Sequence, residues 1–295
     1  MAKATLNDIE FQASDLQSEE GLAKLKSVYE EYGCLVIRSL TNNYVEHILT
    51  DLQKTVDESY ELYPEAERTD IGLVASNGTV FMPKSGAGEQ RHQIMVLAMS
   101  YRNSAALLQS ALDKTTLDVA ETLLGPNVEL FLDGQSIYKE PNGGLEKNLH
   151  QDSAYFEHHL GGPLAFLNYL IPTTEANGAL YVVPGSHKRG VLPHENTSSH
   201  LGLSDDEISF EDALLVEGEP GDAIVFHANT IHGSKQNRTD KARPNFINRY
   251  RSVDDSVKVH AITKEQRKKA ESDNASDKKT TDDWGLVVRG RRITA

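Results

Sequence analysis

The sequence predicts a mainly β fold with helical additions, built around a two-sheet barrel or jelly roll. Three observations carry this reading. Beyond Pro126 the chain breaks into short runs rich in β-branched and aromatic residues: VELFLDGQSIYKEP, LAFLNYLIP, ALYVVPG, DAIVFHA and PNFINRYRS. Gly, Pro and Asn turns separate them, and no long helical segment is interleaved, which argues against a parallel doubly wound sheet. Helical periodicity is confined to the first 125 residues or so.

Taken in order, residues 18–33 (SEEGLAKLKSVYEEYG) open with Ser and early acids, space Leu22, Leu25 and Val28 as a helix does, and stop at Gly33. Cys34-Leu35-Val36-Ile37 then reads as a buried strand. Residues 43–60 and 103–124 repeat the helical pattern, the second ending at the breaker pair Gly125-Pro126. Residues 62–95, rich in Gly and polar groups, and residues 188–214 do not fit the sheet; each is read as a long loop able to cover a pocket. Residues 262–284 read as a solvated helix end and a mobile tail. The expected organisation is one domain over 1–295, with a helical part at about 1–125, a β core at about 126–255 and a polar segment at about 256–295.

Composition narrows the partners. A formal net charge of −14 disfavours nucleic acid and anionic membrane surfaces, which reward clustered Lys and Arg. The single cysteine, Cys34, has no internal disulfide partner, no segment approaches a membrane span, and the N-terminus lacks an apolar signal core. A cytoplasmic protein acting on a small molecule is the expectation, with the oligomeric state left open.

Several chemistries are excluded by missing residues. His194-Glu195 begins like a zincin helix, but position 198 is Ser. No Walker loop occurs, Gly86-Ala87-Gly88 lacks the rest of a dinucleotide fingerprint, and neither Gly185-Ser186 nor Gly233-Ser234 has the flanks of a hydrolase elbow.

What remains is LHQDSAYF, residues 149–156. A His-x-Asp pair is expected by chance roughly 0.7 times in such a chain, so alone it is weak. If the stretch is extended, His150 and Asp152 share a face. A third ligand from another strand would complete a 2-His-1-carboxylate triad that leaves positions open on Fe(II). His232, which follows the run DAIVFHA, is the candidate. A lone strand-edge histidine is more often a hydrogen-bonded core or surface group, but Arg243 follows 11 residues later at the start of RPNFINRYR. A pocketed guanidinium suits a dicarboxylate such as 2-oxoglutarate.

The combination LHQDSAYF, EANGALYVVPGSHKRG and GDAIVFHANTIHGSKQNRTDKARPNFINRY resembles the phytanoyl-CoA dioxygenase (PhyH) family of Fe(II)/2-oxoglutarate oxygenases, over about residues 128–252, with a weaker echo in YEEYGCLVIRSL. The resemblance implies a double-stranded β-helix (jelly roll, cupin-like) core and matches His150, Asp152 and His232 to the iron ligands. It matches Arg243 to the group that binds the distal carboxylate of 2-oxoglutarate, with Ser234 adding a hydrogen bond. Lys139 and Gln135 match positions that contact the co-substrate in some members. Where members often carry a packing tryptophan this chain has Leu167, which keeps apolar contact without the flat ring. Asn177-Gly178 and Pro184-Gly185-Ser186-His187 read as scaffold.

The implied reaction consumes 2-oxoglutarate and O2, releases succinate and CO2, and hydroxylates a small molecule. Desaturation, epoxidation or cyclisation at the same site is the alternative, as is a non-catalytic 2-oxoglutarate or metal-binding protein. The presence of Asp152 argues against halogenation. Tyr155 and Phe156, directly after the metal pair, and Arg91, in the possible lid, are candidate substrate contacts; packing of the barrel rim and a surface charge are the competing readings.

Overall fold

The computed structural model describes residues 4–69, 72–84, 91–131, 134–160, 162–197, 201–204, 206–255, 258–259 and 285–292. Helix Glu19–Tyr32 forms where the sequence predicts it. The Ser18 hydroxyl accepts the Gly21 N–H, and Gly33 ends the helix in the left-handed region at φ 68°. A side chain there would meet the ring of His187, whose Nδ1 lies 2.2 Å from the position of a Cβ. The chain therefore turns at once into the strand Cys34–Arg38, which joins the N-terminal helices to the β core.

That strand pairs antiparallel with Ala223–Phe226 and sits near one end of a large sheet. The order runs Glu10–Gln12, Cys34–Arg38, Ala223–Phe226, Leu164–Tyr169, Arg243–Ser252, Gln135–Lys139, His92–Leu97, Val80–Pro83, Gly72–Val74, Glu67–Thr69. A smaller sheet, Leu214–Val216, Leu180–Val182, His232–Ser234, Lys147–His150, faces it. Side-chain alternation divides the core into layers. Val36, Leu167, Ile224 and Phe226 pack inward with Leu180 and Val182 of the smaller sheet, while Leu35, Ile37, Phe166 and Val225 pack outward beneath helices Glu19–Tyr32 and Lys114–Leu124. The outer face of the small sheet is covered by Leu192, Leu203, Ile208 and Phe210, so part of the stretch 188–214 is a packed cover containing a short hairpin, Glu195–Asn196 with Leu201–Gly202.

Three expectations need correction. Residues 62–95 carry much of a meander that extends the large sheet by four strands; Phe81, Ile94 and Leu97 pack against Ile48, Leu52 and Val56 of helix Val45–Leu62. The polar and Gly-rich spacing masked these short strands, and the first 125 residues are a helix-and-strand mixture. The helical stretch 103–124 is two helices, Ala105–Ala111 and Lys114–Leu124, because the Asp113 carboxylate caps the second by accepting the Thr115 and Thr116 N–H groups. The C-terminal segment returns to the large sheet, where Val287–Arg289 pairs with Val128–Leu130. The expected tail at 262–284 lies outside the described residues. Among the described residues, no helix is long and apolar enough to cross a membrane.

Past Phe226 the chain turns through His227, whose N–H donates to the Gly33 carbonyl at 2.9 Å. Its ring stands between His158 and His187, at centroid distances of 5.5 and 5.6 Å. Burial, reinforced by these two rings, pushes His227 down to about 3.

Gly33→Ala is expected to destabilise the protein by at least about 1–2 kcal/mol from the left-handed backbone alone, with the His187 contact adding to it, as read by urea unfolding. Because His227 stays neutral when folded and takes a proton below about pH 6.5 when unfolded, stability is full above that pH and is lost as the pH falls toward 3, by at most about 1.4 kcal/mol per unit. Unfolding measured at pH 7.5 and 5.5 should show the loss, and His227→Phe should reduce it by about 1 kcal/mol.

Candidate metal centre

His150 ends one strand of the small sheet and His232 begins its neighbour; the two are direct partners across the antiparallel pair, with ring centroids 4.3 Å apart. Each ring is oriented by the backbone two residues before it. His150 Nδ1 lies 2.8 Å from the Asn148 carbonyl and His232 Nδ1 lies 2.9 Å from the Thr230 carbonyl. A carbonyl only accepts, so both Nδ1 atoms carry hydrogen and both Nε2 atoms present a lone pair. Asp152 stands just beyond, at the start of the 3-10 turn Asp152–Ala154 rather than on an extended strand. Its Oδ1 is 3.9 Å from His150 Nε2 and 3.8 Å from His232 Nε2. One ligand atom from each residue falls within 4.8 Å of the others, a spacing that a single ion can bridge.

The second oxygen of Asp152 faces Arg249, with NH2 at 3.6 Å from Oδ2. Arg249 in turn donates to Gln135 Oε1 from NH1 and NH2, at 3.4 and 3.3 Å. One oxygen of the carboxylate is thus directed to the ion site and the other to a guanidinium. Burial pushes His232 below the ordinary imidazole range, against the pull of Asp152 and of the Thr230 carbonyl. The neutral ring is the form that coordinates metal.

These groups open into a cavity of about 900 Å³ between the sheets. His150, Asp152, His232, Arg243, Ser234, Gln135, Leu167, Tyr155 and Phe156, all singled out in the sequence, line it. Arg243 begins the long strand Arg243–Ser252 and is 2% exposed. Its NH2 donates to the Gly178 carbonyl, while Nε and NH1 have no partner. Burial pushes it down to about 10. A buried guanidinium with unmade hydrogen bonds is costly unless a ligand supplies acceptors, and a carboxylate offers them in the matching planar geometry. The residues present therefore fit both a divalent metal and a dicarboxylate.

Two predicted contacts are not brought to the cavity. Lys139 pairs in register with Arg243, but its ammonium donates to the carbonyls of Leu145 and Lys235, the latter at 2.8 Å, and it is not a lining residue. Arg91 is exposed and precedes a strand that lends Met95 and Val96 to the wall instead. The aromatics separate. Phe156 packs edge-on against Phe131 at 6.0 Å, beside Ala228. The Tyr155 hydroxyl, pushed up to about 12 by burial, accepts the Leu201 N–H at 3.1 Å and ties the turn after Asp152 to the cover of the small sheet.

Sequence reasoning missed Arg249 and Lys147. The period of two in RPNFINRYR places Arg243, Asn245, Ile247 and Arg249 on one face, so the signal for Arg249 was present. Lys147 carried no comparable signal, because a regular strand would point it away from His150.

The model of the family Phytanoyl-CoA dioxygenase (PhyH) matches residues 29–245. A probable phytanoyl-CoA dioxygenase of Caenorhabditis elegans is 29% identical over 240 residues, 75% of this chain and 72% of that protein. Ectoine dioxygenase of Stutzerimonas stutzeri (strain A1501) is 26% identical over 267 residues, 83% of this chain and 82% of that protein. Among solved structures, the epimerase SnoN in complex with Fe3+, alpha ketoglutarate and nogalamycin RO superposes with a TM-score of 0.63 at 17% identity, covering 93% of this chain and 97% of that one. EctD from S. alaskensis with bound Fe gives 0.56 at 22% identity, covering 80% and 77%. These likenesses show the shared jelly-roll fold.

Calorimetric titration of metal-free protein with Mn(II) should give one equivalent bound at the cluster. His232→Ala should weaken that binding at least tenfold, and Arg249→Met, which touches no ion, should weaken it by about 10-fold through the orientation of Asp152.

Proposed function

Because this chain belongs to the phytanoyl-CoA dioxygenase family, we propose that the cavity is the active site of its iron(II)- and 2-oxoglutarate-dependent dioxygenase activity, with His150, Asp152 and His232 as the iron ligands. The observation that carries this reading is the convergence of that triad and of Arg243, with its Nε and NH1 donors unmet, on one cavity. Arg243 and Ser234 would receive the distal carboxylate of 2-oxoglutarate, and Leu167 and Leu180 would pack its methylene groups. Bound together, iron, 2-oxoglutarate and O2 supply the oxidising chemistry: one oxygen atom enters the substrate and the other ends in succinate as CO2 is released.

The protein's own part is placement and exclusion of water. The Asn148 and Thr230 carbonyls hold the two imidazoles in the ligating tautomer. Arg249 faces the second oxygen of Asp152, which leaves the first turned to the ion site. Apolar walls from Met95, Val96, Ile137, Phe226 and Ile247 leave room beside the co-substrate for a small organic molecule and keep bulk water from the reacting centre. Hydroxylation is the outcome this site supports, and the same oxidant serves desaturation, epoxidation or ring closure when the substrate dictates it. A role as a sensor is disfavoured by the volume left beyond the co-substrate. The chain is read as one oxygenase domain, in a reducing compartment such as the cytoplasm, where its lone buried Cys34 stays a thiol.

Incubation with Fe(II), 2-oxoglutarate and O2 is expected to release succinate, and a substrate should raise that rate above the uncoupled background. His150→Ala and Asp152→Ala should abolish succinate release. Arg243→Ala should mainly raise the 2-oxoglutarate KM, by about 10- to 100-fold. Full turnover in His232→Ala would sink the triad as drawn.

A further inference from the structure

Lys147 begins the strand that ends at His150, and in a regular strand an offset of three would put its side chain on the opposite face. The pairing with His232–Ser234 is irregular here. His232 opposes His150 and Ser234 opposes Lys147, so two residues on one strand span three on the other. Such a bulge shifts the alternation by one and aims Lys147 at the face that carries His150. Lys147 accordingly lines the cavity, beside Ser234 in register.

We infer that Lys147 is a second cationic anchor for the distal carboxylate of 2-oxoglutarate, sharing that group with Arg243 and Ser234; the inference rests on the co-substrate placement proposed above. The topology puts the three at one end of the cavity. Ser234 pairs with Leu180, and the Gly178 carbonyl two residues before Leu180 accepts from Arg243. The Lys147 ammonium makes no hydrogen bond or ion pair among the described residues, and burial pushes it down to about 8. Asp152, already shared between the ion site and Arg249, is the single carboxylate among the described lining residues. A dicarboxylate therefore meets two cations and a hydroxyl at this end, whereas a 2-oxo acid without a distal carboxylate leaves both cations uncompensated. Lys139, the register partner of Arg243, is already committed to backbone carbonyls and leaves this task to Lys147.

Anaerobic titration of the Fe(II)-loaded protein, following the visible absorption that appears when a 2-oxo acid binds, tests this for 2-oxoglutarate and for 2-oxobutyrate. Lys147→Met is expected to raise the Kd of 2-oxoglutarate about 10- to 100-fold, the loss of one charge-assisted contact, with the Kd of 2-oxobutyrate unchanged. Lys147→Arg should restore most of the affinity, and Lys147→Met should melt no lower than the parent protein, since the buried cation lacks a partner without ligand. An unchanged 2-oxoglutarate Kd in Lys147→Met, or equal losses for both acids, overturns the role of Lys147. Arg243→Met separates the two claims: if it weakens 2-oxoglutarate while Lys147→Met does not, the co-substrate site stands and only the lysine's part falls. If neither variant weakens it, the placement of the co-substrate falls as well.

Discussion

A carboxylate buried between two sheets is the constraint on which the rest of this site depends. Asp152 is 7% exposed, and a charge so placed persists only where compensating groups surround it. One oxygen faces the two imidazole lone pairs, an arrangement that a dication completes, and the other faces Arg249. Arg249 needs its own acceptor and finds it in Gln135. Metal ligand, guanidinium and amide form one chain of dependence that runs from the small sheet into the large one.

The fold supplies these partners because of where strands end. His150 and His232 sit at the termini of short paired strands and Asp152 opens the turn just beyond, where the backbone is free to direct its side chains to one point. Arg243 and Arg249 come instead from a ten-residue strand buried along its whole length and flanked on both sides by other strands. Rigid neighbours keep these long side chains in place, and that preorganisation is what a site binding both an ion and a dicarboxylate requires. The outer helices contribute indirectly. By covering Leu35, Phe166 and Val225 they fix the large sheet whose inner face carries the arginines.

Charge is distributed against the protein's overall balance. The chain carries a net charge of −14, yet Arg68, Lys147, Arg243 and Arg249 line the cavity beside Asp152, the one carboxylate among its described lining residues. The mean sign of the surface says little about the sign of a pocket, because a few desolvated groups at short range outweigh many screened ones.

His150, Asp152, His232 and Arg243 were legible in the sequence because their signals are local: a His-x-Asp pair, a histidine after an apolar run, and an arginine opening a strand. The strand rhythm beyond Pro126 and the capped helix before Cys34 were legible for the same reason, since hydrophobic period and capping are written in neighbouring residues. Which lysine lines the cavity was not. Lys139 and Gln135 share a strand face, but Lys139 ends among the carbonyls of Leu145 and Lys235, groups brought together only by folding. Lys147 turns inward because its strand holds one more residue than its partner, a mismatch that exists only once the two strands pair. The sequence by itself determined which residue types could hold iron and a dicarboxylate. The tertiary structure decided which cations reach the cavity, because register and bulges set side-chain direction and they belong to pairs of strands rather than to either one.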